Sequence, residues 1–282
     1  MSNITKKSSF VLYIALTFLI SWGAWYAAAA TERLHVTGIL SLHFKIQVHE
    51  LIEWIGNFGP GLAALLSVLA LGGRTTFWKF LVRCFGKRPN VLACLQAFLL
   101  SLVIPLTAYF YPQNRIQWDW GRAAWFAVLE ILVNAGLAPL WEELGWRGYL
   151  LPLLLNKARA VPASFAVGLV WGFWHLPLRL HSGPSTSSPF GFFLAFCFYI
   201  FGLTTVFTWL YNQSRGTLYA AIMFHSAVNS MSHQFLEPLV SGAGSLPLFI
   251  IGFLIGAIGL ALLLRTDQSK QTELPDNDFF DP

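Results

Sequence analysis

The sequence predicts an all-α polytopic membrane protein, a bundle of about eight transmembrane helices around an internal polar pocket. Two observations predict this class. Hydrophobic residues make up 56% of the 282-residue chain and charged residues only 11%, whereas a soluble domain carries about 25% charged residues. The apolar residues are also gathered into long runs separated by short polar breaks, as spanning helices require.

Eight apolar runs are candidates for spans, and seven spans are an alternative because the seventh run is short and could be re-entrant or tilted. The first run is too long for the apolar part of a signal peptide, so we interpret it as a retained span. We expect one integral-membrane domain over 1–265, with a motif core at 137–232, and a disordered polar tail over 266–282. The runs cover about residues 10–30, 51–72, 91–111, 122–142, 160–178, 189–211, 216–232 and 245–264.

Basic residues are distributed unequally between the two sides of an eight-span bundle. Thirteen of the 18 Lys and Arg residues fall on the side that holds both termini. The positive-inside rule therefore predicts that both termini lie in the cytoplasm, and the compact chain favours a bacterial plasma membrane. The other side holds Arg33, Lys45, Arg115, Arg122 and Arg179.

The net charge of +5 lies in membrane-flanking loops, so no nucleic-acid partner is expected, and the oligomeric state is left open. The loop GGRTTFWKFLVRCFGKRPN alternates basic with apolar residues. It is either an amphipathic helix on anionic lipid or a solvated loop. The three cysteines form no CxxC pair and are interpreted as packing residues.

Charged residues stand at the end of the fourth apolar run, in the stretch LAPLWEELGWRGYLLP. Glu143 and Arg147 are four residues apart and lie about 40° apart around a helix, so they can form an ion pair. Glu142 lies about 140° from Arg147 and has no partner on its own helix. An unpaired carboxylate near the bilayer needs partners from other helices.

Two further apolar runs supply such partners. WGFWHLP places Trp171 four residues before His175, and MFHSAVNS places His225 four residues before Asn229. Each pair lies on one face of its helix. We therefore expect Glu142 and these polar residues to converge on one pocket from three helices. The alternative is that they are interhelical hydrogen bonds that serve packing. Glu130 belongs to no motif, and no role is assigned to it.

The three motifs, EExxxR at 142–147, an aromatic-xxxH at 171–175 and HxxxN at 225–229, resemble those of one family. This is the CPBP family, which includes type II CAAX prenyl endopeptidases and abortive-infection-like, bacteriocin-processing membrane proteins. The stretch GNFGPGLAALLS also resembles a glycine–proline segment of the family. The resemblance covers most of the chain, with Trp171 standing where the family usually has Phe.

The resemblance implies an intramembrane endopeptidase acting on a peptide or prenylated protein. Glu142 and His175 would activate water, and His225 with Asn229 would form the oxyanion hole. Glu143, Arg147 and Trp171 would support the site. Because Glu142 falls at the cytoplasmic end of the predicted fourth span, the site is expected to open toward the cytoplasm.

Several alternatives remain open. A carboxylate with two histidines is also a zinc ligand set, so Glu142, His175 and His225 are the candidate ligands if the enzyme needs metal. We favour a metal-free mechanism because no HExxH occurs and asparagine is a poor zinc ligand. A catalytically inactive scaffold or bacteriocin-immunity protein of the same fold is the second hypothesis. A transporter is disfavoured because the halves show no internal repeat.

Overall fold

The computed structural model describes residues 3–33, 48–111, 119–134, 136–181 and 188–269, and these residues form helices joined by short turns. Within them, five helices are long and apolar enough to cross a membrane, and one bent pair can make a sixth span. The all-α polytopic class is confirmed. The predicted tail lies largely outside the described residues, although its first residues, through Ser269, continue the last helix.

The first half of the chain contains two long helices and several shorter ones. A turn at Phe58 separates the second helix from the third, and Gly73 has a positive φ of 67°, which bends the third helix. The basic stretch after Gly73 is therefore helical. The helices are α1 (Asn3–Arg33), α2 (Val48–Asn57), α3 (Gly59–Phe85), α4 (Val91–Ser101), α5 (Val103–Phe110) and α6 (Trp120–Asn134).

The second half contains the short helices that carry the motifs. One π-helical turn, Trp146–Leu150, includes Arg147 of the first motif, and a second, Ser232–Leu236, begins shortly after the third motif. Such turns inside helices are frequent at functional sites. The helices are α7 (Ala138–Gly145), α8 (Leu151–Leu155), α9 (Ala160–Trp174), α10 (Leu176–His181), α11 (Pro189–Gln213), α12 (Tyr219–Met231), α13 (Glu237–Ala243) and α14 (Leu246–Ser269).

Three of the predicted spans are interrupted, so the prediction that each is one continuous helix is wrong. The second is broken at the turn between α2 and α3. The fourth bends by 57° between α6 and α7, where Pro139 stands in the first turn of the new helix. The fifth is broken at His175, because Pro177 has no N–H to donate to the Phe173 carbonyl four residues earlier. Glu130 and Glu142 therefore lie on different helix axes, and no single helical wheel relates them.

Several contacts define one face of the bundle, which we call the termini face because α1 begins and α14 ends there. The Ser9 hydroxyl near the start of α1 hydrogen-bonds Tyr149. The Leu218 N–H before α12 donates to the Cys84 carbonyl near the end of α3. Asn90, which caps α4, donates to the Gln213 carbonyl at the end of α11. The opposite face holds α2, α10, α13 and the starts of α11 and α14.

Glycines let the helix that carries the first motif approach α3 closely. A Cβ on Gly61 would lie 2.6 Å from the Trp141 carbonyl oxygen, and one on Gly145 would lie 2.5 Å from Pro60. Both distances are shorter than any ordinary contact of a Cβ atom. The glycine–proline stretch at the start of α3 therefore fixes the position of α7, and with it the two glutamates.

The helices α11 and α14 run parallel and in backbone contact. A Cβ on Gly202 would lie 2.3 Å from the Gly252 carbonyl oxygen, and one on Gly259 would lie 2.1 Å from the Thr205 hydroxyl. Small residues at such crossings allow close van der Waals packing, which drives helix association in lipid. This pair forms one side of the bundle.

We predict that Gly202→Val destabilises the protein by about 1–3 kcal/mol or more, because the new side chain meets the backbone of α14. Gly23→Val is the matched control, since a Cβ on Gly23 has nothing within 4 Å. The measurement is the fraction of detergent-solubilised protein that stays monodisperse after heating. Equal behaviour of the two variants would contradict the close α11–α14 contact.

Candidate active site

A cavity of about 810 Å³ lies among α6, α7, α9, α10, α11, α12 and α13. Its volume is within the range of ligand pockets, about 300–1,000 Å³. The inner wall contains the buried side chains of Glu142, Trp171, His175 and His225. The structure thus brings Glu142, Trp171, His175, His225 and Asn229 to one cavity, whereas Glu143 and Arg147 are not among its lining residues.

The carboxylate of Glu142 is held by two tryptophans. Its Oε2 accepts a hydrogen bond of 2.9 Å from the Trp171 indole N–H and a longer one of 3.4 Å from the Trp146 indole N–H. Trp146 lies four residues after Glu142, so the expectation that Glu142 lacks a partner on its own helix is wrong. Oε1 makes no hydrogen bond to a described residue and is left for a ligand or water in the cavity.

Glu143 is fully buried and connects two elements of the site. Its Oε1 accepts hydrogen bonds from Arg147 at 2.8 Å and from the Nδ1 of His225 at 2.7 Å. The predicted ion pair is present. The bond to His225 joins α7 to α12, and it requires the Nδ1 of His225 to carry a proton because a carboxylate only accepts.

Aromatic rings surround the guanidinium of Arg147. Its central carbon lies 3.7 Å from the ring centroid of Phe207 and 4.7 Å from that of Trp171. Cation–π contact of this kind stabilises a desolvated cation. Together with Glu143, these rings allow a charge that is 1% exposed to remain inside the bundle.

His175 follows the last residue of α9, and its orientation is set by the break in the helix. Its Nδ1 hydrogen-bonds the Trp171 carbonyl at 2.9 Å, one of the carbonyls left without an intrahelical partner at a helix end. Because a carbonyl accepts, Nδ1 carries the proton and the neutral ring keeps a lone pair at Nε2. The ring also packs edge-on against Trp174 and Phe196.

His225 and Asn229 lie one turn apart on α12, as their spacing predicts. His225 is 3% exposed and packs edge-on against Trp171 and Phe207. Asn229 lines the cavity one turn nearer its mouth and is exposed. The Nε2 of His225 and the amide of Asn229 make no hydrogen bonds to described residues.

Glu130 has partners that the sequence did not indicate. Its Oε1 lies 2.9 Å from the Nδ1 of His233 and accepts a 3.1 Å hydrogen bond from the Gln234 amide. This group joins α6 to the π-helical turn after α12, and Glu130 and His233 line the cavity. His233 therefore has a partner in Glu130, on a helix far away in the sequence.

The exposed lining residues mark the mouth of the cavity, and they lie on the face opposite the termini. They include Glu53 in α2, Glu237 and Ser241 in α13, and His233. The expected opening at the end of the fourth span on the termini side is therefore wrong. The physical reason is the break at His175 and the bend before α7, which leave a space above the motifs on that opposite face.

A metal requires ligands that converge. Among the described residues, no group of three or more His, Cys, Asp or Glu side chains could hold an ion. Within the candidate set of Glu142, His175 and His225, the Nδ1 atoms of both histidines and the Oε2 of Glu142 are engaged by protein groups. The other nitrogen of each imidazole and the Oε1 of Glu142 make no hydrogen bond to a described residue.

The sequence reasoning missed two residues of the site: Trp146, which donates to Glu142, and Arg179, which lines the cavity. They lie four residues after Glu142 and His175 respectively. That spacing was a usable signal, because residues four apart share a helix face. Neither residue belongs to one of the three motifs.

Comparisons with known proteins identify similar sequences. A model of the family described as type II CAAX prenyl endopeptidase Rce1-like matches residues 124–231, a range that includes all three motifs. The chain is also 23% identical over 230 residues to a CAAX prenyl protease 2 of Methanococcus maripaludis. That similarity covers 77% of this chain and 82% of the relative.

We predict that Arg147→Ala destabilises the protein by about 3–5 kcal/mol, because it removes the guanidinium that pairs with the buried carboxylate of Glu143. Arg88→Ala, at an exposed position on the termini face, is the control and should change stability by less than about 0.5 kcal/mol. Thermal unfolding in detergent, followed by tryptophan fluorescence, measures both. Similar midpoints would contradict the role of Arg147 in holding Glu143.

Proposed function

We propose that the chain, which is similar to type II CAAX prenyl endopeptidases, is an intramembrane endopeptidase in which Glu142 and His175 activate water. The single observation that supports this most is the orientation of Glu142. Two indole N–H groups hold one oxygen of its carboxylate, while the other lines a cavity shared with two histidines and an asparagine. A purely structural carboxylate would have no need of a free oxygen in a cavity.

In the first step, Oε1 of Glu142 removes a proton from a water molecule. The lone pair on Nε2 of His175 accepts the other hydrogen of that water, so the oxygen lone pair points at the scissile carbonyl. The indole N–H donors favour the ionised carboxylate of Glu142, which is the form that a base requires. The Trp171 carbonyl fixes the tautomer of His175 that leaves Nε2 unprotonated.

Attack of hydroxide on the carbonyl carbon produces a tetrahedral oxyanion. The Nε2–H of His225 and the side-chain amide of Asn229 donate to it. Since Nδ1 of His225 already donates to Glu143, donation from Nε2 as well requires the imidazolium, in which both ring nitrogens are donors.

The proton taken by Glu142 then passes to the leaving nitrogen. The C–N bond breaks, the carbonyl re-forms, and a carboxylate and an amine are released, so Glu142 returns to its ionised form. No cofactor takes part in these steps, and we propose that the enzyme needs no zinc. The substrate is a peptide or a prenylated protein, because the similar protein of Methanococcus maripaludis is named a CAAX prenyl protease.

The distribution of basic residues suggests how the protein is oriented in the membrane. Basic residues concentrate at the termini face, which we propose to be cytoplasmic in a bacterial plasma membrane. The cavity mouth then opens at the extracytoplasmic surface. The termini face carries Lys87, Arg88, Lys157, Arg159, Arg215 and Arg265 among the described residues.

A second function, a catalytically inactive scaffold or immunity protein, requires the cavity only as a binding site. It predicts that substitutions of Glu142 and His175 leave the biological function intact as long as the fold is kept. The motif residues would then matter through packing alone.

We predict that purified protein cleaves a farnesylated CAAX peptide and that Glu142→Gln and His175→Ala each lower kcat by about 100- to 10,000-fold. Asn229→Ala should lower it by about 100- to 1,000-fold. Glu32→Gln, at an exposed glutamate at the end of α1, is the control and should leave kcat unchanged. Mass spectrometry of the products measures the rate and the cleaved bond.

The same assay distinguishes the alternatives. Activity that persists in a strong chelator supports the metal-free mechanism, whereas loss with a chelator and recovery with zinc would overturn that mechanism and keep the enzyme. Full activity of the Glu142 and His175 variants would contradict the assignment of these two residues as the groups that activate water. Absence of cleavage in folded wild-type protein would favour the scaffold.

We predict that a cysteine at position 241 reacts with a membrane-impermeant maleimide in intact cells, while one at position 87 reacts only after permeabilisation. Ser241 lies at the cavity mouth and Lys87 on the termini face, and both are exposed. The labelling uses Ser241→Cys and Lys87→Cys in a chain whose three cysteines are replaced by alanine. The reverse pattern would place the termini outside and the mouth toward the cytoplasm.

A further inference from the structure

Two tryptophans join His175 to the first helix of the chain. Trp174, directly before His175, is 1% exposed, and its ring lies edge-on to the imidazole with the centroids 4.6 Å apart. The indole N–H of Trp22 in α1 donates a 2.9 Å hydrogen bond to the Trp174 carbonyl. Trp22 belongs to none of the three motifs, and it lies outside residues 124–231, which the family model matches.

The bond from Trp22 fixes the peptide group that leads into His175. The Trp174 carbonyl and the His175 N–H belong to one planar unit. Trp22 donates to the carbonyl end of this unit, and the N–H at the other end donates to the Gly172 carbonyl at 3.2 Å. Because both ends are bonded, the plane is held against rotation. The direction in which the His175 side chain leaves the backbone is thereby set.

This restraint falls where helical hydrogen bonding is interrupted. Pro177 has no N–H, so the Phe173 carbonyl receives no bond from the residue four positions later. The break between α9 and α10 therefore has fewer backbone hydrogen bonds than a continuous helix has, although it carries a residue of the proposed reaction. A donor from another helix strengthens the backbone at this break.

Helix α1 is held on both sides of Trp22, so it can act as a support. The Ser21 hydroxyl and the Trp25 indole N–H each donate to a backbone carbonyl of α2, at 2.7 and 3.2 Å. The ring of Trp25 also packs against Trp174, with the centroids 4.7 Å apart. Neighbours of Trp22 thus fix α1 to α2 and to the end of α9.

The direction of the His175 ring decides where its Nε2 lies. In the proposed reaction, this atom meets the water from which Oε1 of Glu142 removes a proton. A misplacement of about 1 Å lowers the rate of such a step by about 100-fold. Ring contacts with Trp174 and Phe196 restrict rotation of the imidazole about its side-chain bonds. A change in the backbone at His175 is therefore transmitted to Nε2.

We propose that Trp22 is a positioning residue, which acts through the Trp174 carbonyl to orient His175 toward the water. This inference rests on the endopeptidase function proposed above. It gives α1 a part in the reaction in addition to spanning the membrane. Trp22 is not among the residues that line the cavity, so its contribution is to the rate of the chemical step and not to the affinity for the substrate.

The first test compares Trp22→Phe with wild-type protein in the assay with the farnesylated peptide. Phenylalanine keeps a ring against Phe18 and Phe173 but has no N–H to donate. We expect kcat to fall by about 10- to 100-fold and KM to stay within about twofold. Trp78→Phe is the matched control and should leave both constants unchanged, because Trp78 is exposed on α3 and does not line the cavity.

A double-mutant cycle separates positioning of His175 from a general loss of structure. Adding Trp22→Phe to His175→Ala should cost less than about twofold in kcat, because the group that Trp22 orients is already absent. Adding it to Asn229→Ala should still cost about 10- to 100-fold. Equal factors in the two backgrounds, or an unchanged kcat in Trp22→Phe alone, would overturn the inference.

A measurement without substrate separates this inference from the endopeptidase proposal. In detergent-solubilised protein labelled with ¹³C at the histidine Cε1, the NMR signal of His175 is identified by its loss in His175→Ala. The ring current of Trp174 acts on this signal, so Trp22→Phe should shift it and Trp78→Phe should leave it in place. A shift in folded protein that cleaves no peptide would support the positioning role and refute the protease. Cleavage by wild-type protein together with an unmoved signal in Trp22→Phe would refute the positioning role alone.

Discussion

The bond from His225 to Glu143 is the interaction on which the site depends. One carboxylate oxygen accepts from Arg147 on its own helix and from His225 on α12, so the first and third motifs are fixed to each other. A guanidinium and an imidazole thus share one buried carboxylate oxygen, and aromatic rings pack against the guanidinium. Without Glu143, the imidazole of His225 would lose the acceptor that sets its tautomer, and α12 would lose its polar contact with α7.

Two adjacent glutamates perform different tasks because consecutive helical residues point about 100° apart. Glu143 faces the protein interior and joins two helices, while Glu142 lines the cavity with one oxygen bound by tryptophans and the other without a hydrogen bond to a described residue. The same chemical group thus has structural partners in one direction and borders the cavity in the other. The close approach of Gly61 and Gly145 to their neighbours keeps the helix in the rotation that achieves this.

Composition and long apolar runs were enough to predict the all-helical class. Local spacing predicted the Glu143–Arg147 pair and the motif residues that line the cavity, since residues four apart share a face. Contacts between distant segments were not predictable in this way. His225 reaches Glu143 across 82 residues, and Glu130 meets His233 across 103. The breaks at Pro139 and His175 were also missed, because an uninterrupted apolar run hides them. That error reversed the expected opening of the cavity.

The parallel packing of α11 and α14 has a consequence for biosynthesis. The α11 helix carries Phe196 and Tyr199, which line the cavity. Its small residues pack against α14, which is synthesised later because it follows in the sequence. Until Gly252 reaches Gly202, the wall of the cavity has no backing on its outer side. The nascent chain therefore carries the motifs before it can hold them rigidly, and a peptidase assembled in this order becomes competent only after its last described helix has been inserted.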